Sequence, residues 1–210
     1  MLSIKNLGFS YGKQQLFSNL SLQLAPGLHW LSGANGSGKS SLLRIIAGLD
    51  KAQQGSICFH QHKVGSSAYQ RLVSISADAV VPLQDNTVHG VLQLVARCRG
   101  IALEQFMQYA RAFALEPLMQ QKVAVLSLGQ QKKLSLTLAL AAKPQLLLLD
   151  EPFNALDPDS LAYCCSMLQA AKEQGALVLV ASHLSPQSFQ LPLNQHLELK
   201  AGGHLSFTPL

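Results

Sequence analysis

Two hydrophobic rhythms divide the chain. Near the start, apolar and polar residues alternate over Leu2 to Leu7 and again over Leu16 to Leu24, with Leu16, Leu20, Leu22 and Leu24 prominent. A period of two predicts half-buried strands. Pro26-Gly27 predicts a turn into a short buried strand, Leu28-His29-Trp30-Leu31. Gly55 to Phe59 and Arg71 to Ser76 are predicted as further strands. From Val88 to about Gln121 the period becomes helical. Val88, Val91, Leu92 and Val95 form one stripe, Leu103, Phe106, Met107 and Ala110 a second, and Pro117 breaks the run. Beyond it, Leu134 to Ala142 predicts a helix and Leu146 to Leu149 a strand without polar alternation. Ser160 to Gln174 predicts a helix closed by Gly175, and Ala176 to Ala181 another uniformly apolar strand.

Strands that are apolar on both faces, each followed by a helix, imply a parallel sheet covered on both sides. The predicted class is α/β, with the helical block inserted mid-chain as a candidate subdomain. At 210 residues the chain fits one domain, or one domain with a subdomain. Only 13% of residues are charged, about half the usual quarter. The net charge of +5 suits anionic ligands, an anionic membrane face or nucleic acid, without separating them. Cys58, Cys98, Cys164 and Cys165 show no metal-ligand spacing, which predicts reduced thiols. No apolar run approaches the ~18 residues that span a bilayer, and the start shows no signal-peptide pattern. A cytoplasmic protein is expected. His60-Gln61-His62 reads as a hairpin turn rather than a metal site.

Chemistry enters at Gly33-Ala34-Asn35-Gly36-Ser37-Gly38-Lys39-Ser40, which fits the phosphate-cradling pattern of Gly, four residues, then Gly-Lys-Ser. Glycines let several N–H groups converge on one anion. Lys39 supplies a mobile cation for the outer phosphates, and Ser40 a hydroxyl for Mg²⁺. A buried strand precedes the loop. Helical spacing follows from Ser41 to Ala47, so a helix N-terminus adds its own attraction for the phosphates. ATP with Mg²⁺ is the expected ligand.

Two further segments carry chemistry. Leu146 to Leu149 runs into Asp150-Glu151, placing two carboxylates at a strand end, where open α/β sheets bind ligands. Asp150 suits Mg²⁺, and Glu151 suits orienting and deprotonating a water. Leu126-Ser127-Leu128-Gly129-Gln130-Gln131 precedes a helix, with Ser127 at the cap position. It reads either as a capped helix or as a second anion site.

The second segment resembles the signature of ATP-binding cassette (ABC) ATPases, usually Leu-Ser-Gly-Gly-Gln, with Leu128 in place of the first glycine. Phosphate loop, signature and acidic strand follow in that family's order, with the usual interval from Ser127 to Asp150. The resemblance implies a single 1–210 domain. Its parts would be a P-loop NTPase (RecA-like) core, an N-terminal antiparallel β subdomain and a helical subdomain inserted at roughly 79–142. It implies nucleotide contacts at Tyr11, Gly33, Ala34, Asn35, Gly36, Ser37, Gly38, Lys39, Ser40 and Ser41, and in trans at Ser127, Gly129 and Gln130. Tyr11 resembles the aromatic residue that stacks on adenine; otherwise it is a strand-end tyrosine. Asn154-Ala155-Leu156-Asp157 resembles the loop that meets the opposite subunit, and also reads as an Asp-Pro turn. His183 resembles the switch histidine that contacts the γ-phosphate. Glu151 and His183 are then the catalytic candidates, with Ser40 and Asp150 at the metal. The family's glutamine at the entry to the helical subdomain is missing; Asp78 or a neighbour stands there, and Gln84 lies too far along.

The resemblance further implies head-to-tail pairing, as a homodimer or with a second ABC ATPase, each ATP lying between one phosphate loop and the other subunit's signature. Integral membrane permease subunits would be the other partners, holding the chain on the cytoplasmic face of the membrane. A non-transport or weakly hydrolysing regulatory ABC ATPase is the alternative. A GTPase is disfavoured, since no Asn-Lys-x-Asp motif occurs, and the signature is foreign to kinases.

Overall fold

The computed structural model describes residues 1–12, 14–77, 83–200 and 202–208. Strands β1 (Leu2–Tyr11), β2 (Gln14–Leu24), β4 (Gln54–Phe59) and β5 (His62–Lys63) form an antiparallel sheet in the order β2-β1-β4-β5. A second sheet runs β10-β9-β3-β8-β7-β6. It comprises β3 (Gly27–Ser32), β6 (Val73–Ser76), β7 (Leu146–Asp150), β8 (Leu177–Ala181), β9 (Gln195–Leu199) and β10 (Leu205–Thr208). Its pairs are parallel except β9 with β10. The helices are α1 (Lys39–Ala47), α2 (Ser67–Leu72), α3 (Val88–Arg99), α4 (Leu103–Ala112), α5 (Leu128–Ala141) and α6 (Pro158–Glu173).

The uniformly apolar strands are explained by two cores. Leu147, Leu149, Val178 and Val180 face one core with α3, α4, α5 and α6. Their neighbours Leu146, Leu148, Leu177, Leu179 and Ala181 face the other, with α1 and the antiparallel sheet. Successive side chains point to opposite faces, so a strand buried on both must be apolar throughout. Each fully buried leucine contributes roughly 1.5–3 kcal/mol.

The structure departs from the pattern's prediction in two places, α2 with β6 and the β9–β10 edge. Arg71 and Leu72 close α2 rather than open a strand, and β6 begins at Val73. Helix α2 is set by a cap, Tyr69 N–H donating to Ser66 Oγ at 3.2 Å, and by Tyr69 Oη donating to the Ile46 carbonyl. Helix α5 starts at Leu128 with Ser127 as its cap, as the sequence predicts, and Gln130 makes the capping reciprocal. Strands β9 and β10 extend the sheet where no strand is predicted. Asp78 lies outside the described residues. Among those described, no helix is long and apolar enough to cross a membrane.

Candidate functional site

Strand β8 lies between β3 and β7. Three strand ends therefore meet at one edge: β3 leads to the phosphate loop, β7 to Asp150-Glu151, β8 to Ser182-His183. Behind them Phe153 stacks against Trp30 (centroids 5.8 Å apart) and Phe189 (4.1 Å), which pins the turn after Glu151 to the core.

The phosphate loop enters α1 through Gly38, whose φ of 102° is left-handed and whose added Cβ would lie 3.0 Å from Phe17. Glycine is therefore required there. No side chain caps α1, so its first N–H groups remain available to a ligand. Lys39 is 7% exposed, and its Nζ donates to the carbonyls of Gly33 (2.7 Å) and Ala34 (3.3 Å). The ammonium is thus folded into the loop's cradle. Asn35, Gly36, Gly38, Lys39, Ser40 and Ser41 line a cleft of about 420 Å³ together with Tyr11, Gln14, Leu16 and Glu151.

Glu151 is held from several directions. Ser182 Oγ donates to Oε2 at 2.9 Å and the His183 N–H to Oε1 at 2.9 Å, while His183 Nδ1 lies 3.0 Å from Oε1. Its backbone sits at φ 44°, left-handed for a non-glycine residue, and its N–H donates to the Ala181 carbonyl at 2.8 Å. Such strain costs about 1–3 kcal/mol and persists only where the surroundings impose it. Asp150, 8% exposed, ends β7 beside it. Tyr11 is half exposed at the cleft's rim. Its hydroxyl donates to Asp50 Oδ2 at 3.2 Å, and Asp50 pairs with Arg44 through two bonds of 2.7 and 2.8 Å. The Arg44 guanidinium holds the Asp50 carboxyl below its ordinary range.

The signature residues Ser127, Gly129 and Gln130 do not line this cleft. Gln130 N–H donates to Ser127 Oγ (3.3 Å) and Ser127 N–H to Gln130 Oε1 (2.9 Å), a capping box at the start of α5. A Cβ on Gly129 would lie 2.5 Å from the Ala155 carbonyl, so α5 packs directly on the loop after Glu151. Lys133 pairs with Asp157 at 2.5 Å, and Asp157 caps α6 through the Ser160 N–H. Leu128 is 79% and Val125 68% exposed beside the signature.

The structure thus gathers Tyr11, Asn35, Gly36, Gly38, Lys39, Ser40, Ser41 and Glu151 on one cleft, joins His183 to Glu151, and leaves the signature apart; Gly33, Ala34, Ser37 and Asp150 do not line the cleft. Sequence patterns miss Ser182, whose role appears only when β8 lies between the two motif strands; its place before His183 is the one signal. They also miss Gln14 and Leu16, which follow the turn after Tyr11 and carry no motif.

The donor set fits the expected ligand. A helix N-terminus without its own cap, beside an ammonium, suits a polyphosphate. The Ser40 hydroxyl and Asp150 carboxylate are the hard oxygen donors Mg²⁺ prefers.

These features define a P-loop nucleotide-hydrolase site. The ABC transporter family model matches residues 17–154. A cytochrome c biogenesis ATP-binding export protein, CcmA of Albidiferax ferrireducens, is 32% identical over 206 residues, covering 95% of this chain and 97% of its own. A lantibiotic transport ATP-binding protein, SrtF of Streptococcus pyogenes, is 29% identical over 186 residues, covering 88% and 80%. A solved bacterial ABC transporter cassette, described as dimeric, superposes with a TM-score of 0.83 over the full length of both chains at 22% identity, a likeness of fold. The chain belongs to the ABC transporter family, as an ATP-binding, ATP-hydrolysing subunit.

Proposed function

We propose that the chain drives a transporter through ATP-dependent, head-to-tail pairing of two cassettes, with Glu151 as the general base. The observation that carries this reading is the placement of Glu151, fixed by Ser182 and His183, on the same cleft as Lys39 and Ser40.

The triphosphate lies on the uncapped N-terminus of α1 with Lys39 against its outer phosphates. Ser40 and Asp150 hold Mg²⁺, which when bound neutralises charge on the phosphoryl oxygens. Glu151 orients a water; its oxygen bonds to the γ-phosphorus while the bond to the β–γ bridging oxygen breaks, and Glu151 takes the proton. Its three protein contacts, from Ser182 Oγ, the His183 N–H and His183 Nδ1, use part of a carboxylate's four lone-pair sites and leave one for the water. His183 links the γ-phosphate to Glu151. Tyr11 stacks on the adenine.

Ser127, Gly129 and Gln130 complete the site of a second cassette. The Ser127 oxygen accepts from Gln130 N–H, so its own proton is free to be donated outward. ATP bridges the two surfaces, and loss of the γ-phosphate removes the contacts that favour the closed pair. The inserted helical subdomain, described from residue 83 to about 142, is where integral membrane subunits dock, keeping the chain at the cytoplasmic face. The two relatives are named for different processes, lantibiotic transport and cytochrome c biogenesis, in keeping with cargo being chosen by those membrane subunits.

Glu151→Gln tests the reading. Hydrolysis should fall by about 10²–10⁴-fold, the usual share of a general base. ATP binding should remain, and an ATP-dependent dimer should accumulate in size-exclusion light scattering. Turnover near wild type would remove Glu151 from the role of base; a variant that stays monomeric with ATP would refute the pairing.

A further inference from the structure

The signature helix carries a buried cation that the proposed mechanism does not use. Lys132, in the second turn of α5, is 6% exposed, and its Nζ donates to the carbonyl oxygen of Asp150 at 3.2 Å. An ammonium taken out of water is costly unless fixed acceptors replace its hydration. This carbonyl belongs to the peptide that joins Asp150 to Glu151. The other end of that peptide, the Glu151 N–H, donates to the Ala181 carbonyl at 2.8 Å.

Both ends of one peptide plane are therefore held, one by α5 and one by β8. Glu151 leaves this plane at φ 44°, a conformation its side chain disfavours, and in that conformation its carboxylate meets Ser182 and His183. Freeing the Asp150 carbonyl lets the plane rotate, and the carboxylate turns with it. The adjacent Lys133 reaches forward to Asp157 instead, beyond the turn.

We propose that Lys132 is a positioning residue for hydrolysis: it fixes the Asp150–Glu151 peptide and so aims Glu151 at the attacking water. The inference rests on Glu151 being the base. It has a consequence for coupling. The helix whose first turn would meet another subunit's nucleotide also sets the base of its own site, so engagement of the signature is felt at Glu151 through one side chain.

The test compares wild type with Lys132→Met, Lys132→Arg, Glu151→Gln and the double variant Glu151→Gln with Lys132→Met. Steady-state ATPase kinetics, binding of a fluorescent ATP analogue and thermal melts are measured for each. Lys132→Met should lower kcat at least tenfold, with KM and analogue affinity within twofold of wild type. Lys132→Arg should recover kcat to within threefold, since arginine restores donors and a cavity of about 230 Å³ beside Lys132, Gln131 and Ala155 gives it room. In the Glu151→Gln background, Lys132→Met should change the residual rate less than twofold, because a residue that acts only through the base has nothing left to position. A kcat within twofold of wild type in Lys132→Met overturns the proposal, as does a matching rise in KM or an equal loss without Glu151. If Lys132→Met does not fold, a folded Lys132→Arg with a tenfold loss overturns it, and one within threefold supports it. A Glu151→Gln enzyme that turns over normally sinks the base itself and this inference with it. A dead Glu151→Gln beside an unaffected Lys132→Met sinks this inference alone.

Discussion

The N-termini of α1 and α5 each fall in a segment that the sequence marks as a candidate anion site, and they are finished in opposite ways. Helix α1 begins at a left-handed glycine with no side-chain cap. Helix α5 begins at Ser127 with a complete capping box. A serine, threonine or aspartate cap is worth about 0.5–2 kcal/mol, so α1 forgoes stabilisation that α5 keeps. The α1 terminus is built to be completed by a ligand, with Lys39 already folded over it. The α5 terminus is satisfied by its own residues and offers outward only what the cap leaves, flanked by the exposed side chains of Val125 and Leu128. The first supplies affinity within one chain. In the proposed pairing the second would supply contact with another surface, at little cost when that surface is absent.

The sharpest break between the two would come from Lys39→Ala. Removing a charge-assisted hydrogen bond worth about 1.5–3 kcal/mol should weaken ATP binding by about ten- to a hundredfold. The melting temperature without nucleotide should change little. Titration with a fluorescent ATP analogue measures it. Unchanged affinity would mean that the uncapped terminus is not the phosphate site.

Ser127→Ala should act on the other terminus alone. Loss of the cap should cost about 1 kcal/mol of stability, a few degrees in melting temperature for a chain of this size. ATP affinity of the isolated chain should stay within twofold, while hydrolysis falls under conditions that favour pairing. An affinity loss like that of Lys39→Ala would erase the distinction between the termini.

The distinction also explains what the sequence reveals. The phosphate loop is legible because each residue type meets a local need, and β7 and β8 because burial on both faces leaves an uninterrupted apolar run. The start of α5 is harder to place. Residues 130–133, Gln-Gln-Lys-Lys, break the apolar stripe, and the helix there rests on the capping pair and on Lys132 reaching the Asp150 carbonyl. Both are contacts of position, not of pattern. The α2–β6 boundary is hidden similarly: Arg71 to Ser76 reads as a strand, and the cap at Ser66 and the Tyr69 bond to Ile46 set a short helix ahead of it that runs on to Leu72. Ser182 is marked only by its place before His183. It matters because the chain order of β3, β7 and β8 differs from their spatial order.

The smallest expected effect tests how α5 is tied to the loop beyond Glu151. The Asp157 carboxyl is held far below its ordinary range, first by the hydrogen bond from Lys133 and then by the Ser160 N–H. Asparagine caps helices about as well as aspartate, so Asp157→Asn removes the charge and keeps the cap. The pair is largely solvent-exposed on the Asp157 side, and exposed ion pairs contribute under about 1 kcal/mol. A carboxyl whose folded pKa is depressed stabilises above its unfolded value, about 3.9. That contribution fades as the pH falls below this value toward the folded one, because the unfolded chain takes up the proton first. Urea unfolding should therefore show wild type slightly more stable than Asp157→Asn at pH 7, with the gap narrowing at pH 3 and in high salt. A gap that ignores both pH and salt would mean that packing, such as that of Gly129 on Ala155, ties the signature helix to the catalytic loop, and that Lys133 contributes no charge pairing to it.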